Sequence, residues 1–383
     1  MISYFKRSVS IFIMMTFCLS GTVLLYAEGV NKVRIERLAK GVNLSYWMWL
    51  NNGEPTELEK RFPDSDFELM TKLGLTHVRI PVEMANLYDP QQPESLNQKN
   101  LSLLAEGIEK ILTYKLAVIV DLHSIFFQDG GVDFSGPLGK DESFTETFTY
   151  FWGNLAKYLS RLNPDWVYLE PMNEPVLIGQ EEKWPPLQKT IIRAIRENAP
   201  QHTILATGAQ WSNPETLLKL QPLDDPNVLY NFHFYEPHIF THQGADWAPE
   251  PAKYLHDIPY PSSPESIQQA IELNNTDEAK KAIQSYGEER WNAKKIESKI
   301  AGVVAWANKN NVTVICNEFG AYRDVCPPQF RSLWIHDVRV ALEKHSIGWS
   351  MWDFDKDFGM INRENGTAIP DPLIVKALGL NNN

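Results

Sequence analysis

The sequence predicts an α/β chain closed into a single (β/α)8 barrel of the TIM type. Three observations carry that expectation. Eight short runs are rich in Val, Ile and aromatic residues, amphipathic stretches alternate with them, and no Gly/Ser/Pro-rich linker or internal repeat divides the chain. With 383 residues and 43% hydrophobic content, one large core is affordable. An open doubly wound sheet is the competing arrangement, but no glycine-rich phosphate turn follows the first run.

The first strand is KGVNLS, near residue 42. PDSDFELMTKLG follows as a helix, with Asp64 or Ser65 as its cap, and THVRIPV near 78 is the second strand. NQKNLSLLAEGIEKILTYK leads to LAVIVDLH near 119, and SFTETFTYFWGNLAKYLSRL leads to WVYLEP near 168. WPPLQKTIIRAIRENAP stops at a proline before HTILATG near 205, and VLYNFHFY near 231 is the sixth strand. About seventy residues then intervene before VTVICNEF near 315. A connection of that length is functional or separately folded; its first part reads as a wall of the binding site and the rest as added helix. RSLWIHDVRVALEKHS precedes the eighth strand, IGWSMWDF near 350.

Residues 1–27 read as a secretory signal, because Lys6 and Arg7 precede an apolar run over 11–27. Cleavage after Ala27 leaves 28–383 as the barrel domain; an uncleaved membrane anchor is the other reading of the same run. A secreted or periplasmic monomer with no stable membrane association is expected. Only Cys316 and Cys326 remain after cleavage, so this is no disulfide scaffold, and Cys316 reads as an inert buried thiol. The net charge of −12 and the lack of a basic patch argue against nucleic acid as a partner and favour a neutral substrate.

VYLEPMNEPV, 167–176, and VTVICNEFGAY, 312–322, each end an apolar run on Asn-Glu, a dipeptide found nowhere else in the chain. A barrel presents reactive groups where its strands end. Glu174 and Glu318 should therefore project over the mouth, joined by the strand-end residues Arg79, His123, His233, Tyr235 and Trp352. His233 and Tyr235 are two apart and share a strand face. Taken singly, each of these residues also fits a hydrogen-bonded polar group inside the barrel. Together they form a ring converging from several strands. Two facing carboxylates suit acid/base and nucleophilic work on an acetal, with Arg79 keeping the nucleophile ionised and the nucleophile's charge raising the pKa of the acid.

These motifs resemble glycoside hydrolase family 5, and the likeness runs over essentially the whole mature chain. MNEP matches the family signature: Asn173 is implied to hold the sugar 2-hydroxyl and Glu174 to be the acid/base. ICNEFGAY implies Glu318 as nucleophile. Arg79 in THVRIPV, His123 in VIVDLHS, His233 and Tyr235 in NFHFYEP, and Trp352 in SMWDF match the family's substrate-site positions. HQGADW resembles a segment of some endoglucanase members. The resemblance implies a retaining endo-β-1,4-glucanase without cofactor, acting on a polysaccharide β-glucan. An endo-β-mannanase or glucomannanase is the first alternative, and a non-catalytic glycan-binding barrel the second.

Aromatic rings should stack on the sugars. Trp47, Trp49, Trp211, Trp247 and Trp352 follow candidate strands, with Trp211 among those assigned to substrate, although core or rim packing is expected for about half of the five. No metal is expected. His233, Glu236, His238 and His242 cluster within ten residues, but lack a zinc-site spacing. Asp353, Asp355 and Asp357 lack the glycine and distal Glu of a calcium loop and read as a solvated acidic loop.

Overall fold

The computed structural model describes residues 29–50, 55–88, 96–124 and 136–381. The expected signal, 1–27, lies outside them. Eight parallel strands close into a barrel in chain order: β1 (Lys40–Asn43), β2 (His77–Glu83), β3 (Ala117–Ser124), β4 (Val167–Glu170), β5 (Thr203–Thr207), β6 (Val228–Phe234), β7 (Val314–Phe319) and β8 (Gly348–Met351). β8 pairs with β1 to complete the ring. All eight expected strands are present.

The strands are buried on both faces, which is why they read as nearly continuous apolar runs. Alternate residues such as Val78, Ile80 and Val82 join the main core between strands and helices. The intervening positions fill the barrel. At its lower end Leu38, Ala117, Ile119, Tyr168, Leu205, Leu229 and Ile315 form a separate apolar plug. Also buried, His77 Nε2 meets Ser350 Oγ at 2.7 Å. Gly41 lets the His77 ring lie there, since a Cβ on residue 41 would fall 2.1 Å from it.

The helices form where expected, with one difference in capping. Pro63 precedes the helix Asp64–Leu73 and no side chain caps it; Asp64 is its first residue, and Gly74 ends it in the left-handed region at φ 88°. Asn97, Asp141 and Asn292 do cap their helices. The long β6–β7 connection contributes the helices Gln268–Leu273, Asp277–Glu289 and Ala293–Asn310. After β8 an antiparallel hairpin, β9 (Ile361–Glu364) with β10 (Thr367–Pro370), turns at Asn365-Gly366, both with positive φ. Both described cysteines are buried and free. Among the described residues no helix is long and apolar enough to cross a membrane.

Candidate active site

β4 ends at Glu170, and the chain runs on across the barrel mouth to Glu174. Three bonds fix this segment. The Asn173 amide donates to Leu122 O at 2.9 Å, Ser212 Oγ donates to Asn173 O at 2.6 Å, and the Gln210 amide donates to Pro175 O at 2.7 Å. The last two come from a turn after β5 in which Gln210, Trp211 and Ser212 all have positive φ, 52° to 57°. Three consecutive residues in the left-handed region are costly, and the turn's bonds to 173–175 help hold them there.

Glu318 reaches the mouth by a different device. The β6–β7 register passes from Phe232↔Cys316 to His233↔Glu318 and skips Asn317. This bulge breaks the two-residue alternation, so Asn317 and Glu318 both face the interior. Asn317 Nδ2 donates to Glu170 Oε2 at 2.8 Å, while Glu318 accepts from Arg79 Nη1 at 2.5 Å and from Tyr235 Oη at 3.0 Å.

Arg79 is fully buried and organises the site. It is bidentate to Glu170 at 2.8 and 2.9 Å and donates to Asn173 Oδ1 at 2.7 Å and Asn43 Oδ1 at 3.0 Å. Asp121 Oδ2 lies 3.0 Å from its Nη2. Burial works against its charge, but Asp121, Glu170 and Glu318 outweigh that and hold its pKa well above the ordinary value. The carboxyls pay the converse cost: burial pushes Asp121 and Glu170 up to about 7, with Arg79 opposing.

The imidazoles are neutral. Burial pushes His123 down to about 3, so Nδ1–H donates to Asp121 Oδ2 at 2.6 Å and Nε2 faces Asn173 Nδ2 at 3.4 Å. Asn173 is thereby oriented, with Oδ1 toward Arg79 and Nδ2 toward His123. Burial likewise holds His233 well below its usual range, and its Nδ1 sits 2.7 Å from Glu174 Oε1 and 3.5 Å from Glu318 Oε2.

The two glutamates differ in surroundings. Burial raises both; the charge of Glu318 raises Glu174 further against the opposing Arg79, whereas at Glu318 Arg79, in direct contact, and the Tyr235 hydrogen bond both oppose the burial. Tyr235 itself is held well above its ordinary value by burial and the two carboxylates, and so remains a donor. Ligand atoms of Glu174, His233 and Glu318 all lie within 4.8 Å of one another. The two carboxyls therefore face one another across the barrel mouth, close enough to act on one bound group.

The structure thus brings together Arg79, His123, Asn173, Glu174, His233, Tyr235 and Glu318. Trp352 joins them through its ring, stacked on His123 at 5.1 Å, with Trp49 against both. Trp211 is half-buried on the turn after β5, outside the hydrogen-bonded network. Trp247 is 54% exposed beside His242 and Phe358, whereas Trp47 is core, its Nε1 bonded to Thr56 O. Sequence reasoning missed Asn43, Asp121, Glu170, Asn231 and Asn317. It also misread the acidic loop. Asp353 and Asp355 are buried, not solvated: Asp353 accepts from Ser45, and Asp355 is paired with Arg61 and Arg363. Of the four His/Glu residues in the 233–242 segment, Glu236 pairs with Lys299 and His242 with Thr241, while His233 turns to Glu174.

Residues 39–357 match the family described as Cellulase (glycosyl hydrolase family 5). Endoglucanase 3 of Fibrobacter succinogenes is 27% identical over 90% of this chain and 53% of its own length, so this chain spans about half of that relative. Endoglucanase C of Acetivibrio thermocellus is 26% identical over 85% of this chain and 93% of its own. Two solved structures of one Thermotoga maritima protein, in complex with cellobiose and with mannotriose, each superpose with a TM-score of 0.72 at 23% identity, covering 90% of this chain and 98% of that one. At that identity the likeness is one of fold. The family match begins just ahead of β1 and ends in the loop beyond β8, and the chain belongs to glycosyl hydrolase family 5.

Proposed function

We propose that the chain is a retaining endo-β-1,4-glucanase that cleaves internal bonds of a soluble β-glucan by double displacement. The observation that carries this reading is the unequal carboxyl pair: Glu318 set against Arg79 and the Tyr235 hydroxyl, and Glu174, with oxygens no more than 4.8 Å away, set against a neutral imidazole.

Glu318 attacks the anomeric carbon as the bond to the leaving oxygen breaks, and Glu174 gives that oxygen its proton. A glycosyl ester on Glu318 results, with inversion. Glu174, now a carboxylate, takes a proton from water, which attacks the same carbon and releases Glu318. The second inversion restores the starting configuration. Asn173, held by Arg79 and His123, lies beside this pair to meet a sugar hydroxyl, and Trp352 and Trp49 offer the stacking surface.

The basic and apolar run within 1–27 supports export, with removal after Ala27 and action as a secreted or periplasmic monomer. A mannan or glucomannan backbone is the second reading, favoured by one observation: the Thermotoga maritima protein of the same fold was solved with cellobiose and with mannotriose.

Reducing-sugar release on carboxymethylcellulose, mixed-linkage glucan, glucomannan, xyloglucan and xylan tests the proposal. Release from the first two, with cellohexaose turned over faster than cellobiose, is expected. Preference for glucomannan would move the assignment to the second reading. Binding without turnover on every glycan would leave a glycan-binding barrel.

A further inference from the structure

We infer that the barrel mouth also takes a divalent transition-metal ion, Zn2+ in particular, held by Glu174, His233 and Glu318, and that ion and substrate exclude one another. The effect on turnover rests on the two glutamates being the reacting pair; binding of the ion does not.

The three groups supply one imidazole nitrogen and two carboxylate oxygens, a donor set zinc accepts. Two ligands at zinc bond lengths in tetrahedral array are roughly 3.4 Å apart. The distances from His233 Nδ1, 2.7 Å to Glu174 Oε1 and 3.5 Å to Glu318 Oε2, straddle that spacing, and the third pair is no wider than 4.8 Å. Small rotations of the carboxylates close the set. Arg79 engages Oε1 of Glu318, which leaves Oε2 for the ion, shared with the Tyr235 hydroxyl. The surrounding charge is favourable: Asp121, Glu170 and Glu318 share one guanidinium.

Two features make the ion an exchangeable occupant instead of a resident one. His233 is hydrogen-bonded by the Asn317 side chain, a neutral amide and a weaker lock on a ligating ring than a carboxylate partner. The Glu174 side chain is 12% exposed, so the ion meets solvent directly. Bound there, it occupies the oxygens that must attack and protonate. Mg2+ and Ca2+ prefer all-oxygen sites and should not compete.

The test is calorimetric titration of EDTA-treated, dialysed protein with ZnCl2, beside turnover of an aryl β-cellobioside. One Zn2+ per chain, a raised KM at unchanged kcat, and no response to Mg2+ or Ca2+ are expected. His233→Asn and Glu174→Gln, each checked for folding by circular dichroism, should weaken binding by at least about ten-fold; Glu318→Gln serves if either fails to fold. No heat, heat that persists in the folded variants, or inhibition that substrate does not relieve would overturn the inference. Normal Zn2+ binding by a chain that hydrolyses no glycoside would instead count against the proposed function alone.

Discussion

Ile119 and Asp121 stand two residues apart on β3, both inside the barrel, and have opposite fates. Ile119 belongs to the dry plug; Asp121 lies against a buried guanidinium. The same step recurs from Tyr168 to Glu170, from Leu229 to Asn231 and from Ile315 to Asn317. Because strand side chains alternate with period two, one step of two residues on each strand moves from one interior layer to the next. The lower layer gains from apolar burial. The upper layer holds Arg79 and several carboxyls away from water, which costs stability that the pairing only partly returns. The difference shows a barrel whose stability and whose chemistry occupy separate layers of one interior.

The comparison breaks most severely at Arg79. Arg79→Leu leaves Asp121, Glu170 and Glu318 without their shared cation and should lower unfolding free energy by about 3–5 kcal/mol, measured by urea denaturation, with turnover also lost. A loss under about 1 kcal/mol would mean that the upper layer is not held by this ion.

Leu205→Ala strikes the plug instead. It should cost about 2–5 kcal/mol of stability yet leave kcat near wild type at temperatures where the variant is folded. A large fall in kcat with the fold intact would show that the two layers are not separable.

Tyr235→Phe removes one donor from Glu318 and no core contact of the plug. Turnover should fall by about 10–10³-fold with thermal stability nearly unchanged. Unaltered kinetics would take Tyr235 out of the site.

The smallest effect concerns pH. Glu170 and Asp121 ionise near 7 in the folded chain and near 4 when unfolded, so the folded state holds their protons longer. Their contribution to stability is complete below about pH 4 and is lost as pH rises through about 7. In Glu170→Gln one such group is gone. Between those limits its unfolding free energy should decline less with rising pH, or rise more, than that of wild type; a steeper decline would contradict the assignment.

All eight strands were legible because strands buried on both faces are apolar runs, and Glu174 and Glu318 because each follows such a run in the only two Asn-Glu pairs. Asp121 and Asn231 were passed over as strand interior, although each lies two residues before an identified histidine, on the same face. Glu170 was hidden by the more prominent Glu174, four residues on. The β7 bulge depends on pairing with β6, and no feature of VICNEF itself announces it. Asp355 was misread because Arg61 is 294 residues away. The hairpin at Asn365-Gly366 did carry a readable turn signal that the eight-strand count overshadowed.

The most direct test of the account is the anomer formed when azide rescues each glutamate variant on an activated aryl β-glycoside. In Glu174→Ala the leaving group needs no proton, the ester on Glu318 still forms, and azide replaces it; two inversions should give the β-glycosyl azide. In Glu318→Ala no ester forms, azide attacks from the vacated side, and one inversion should give the α-azide. Proton NMR coupling at the anomeric centre distinguishes them. Swapped anomers would reverse the roles of Glu174 and Glu318, and an inverted sugar from the wild-type enzyme would contradict double displacement altogether.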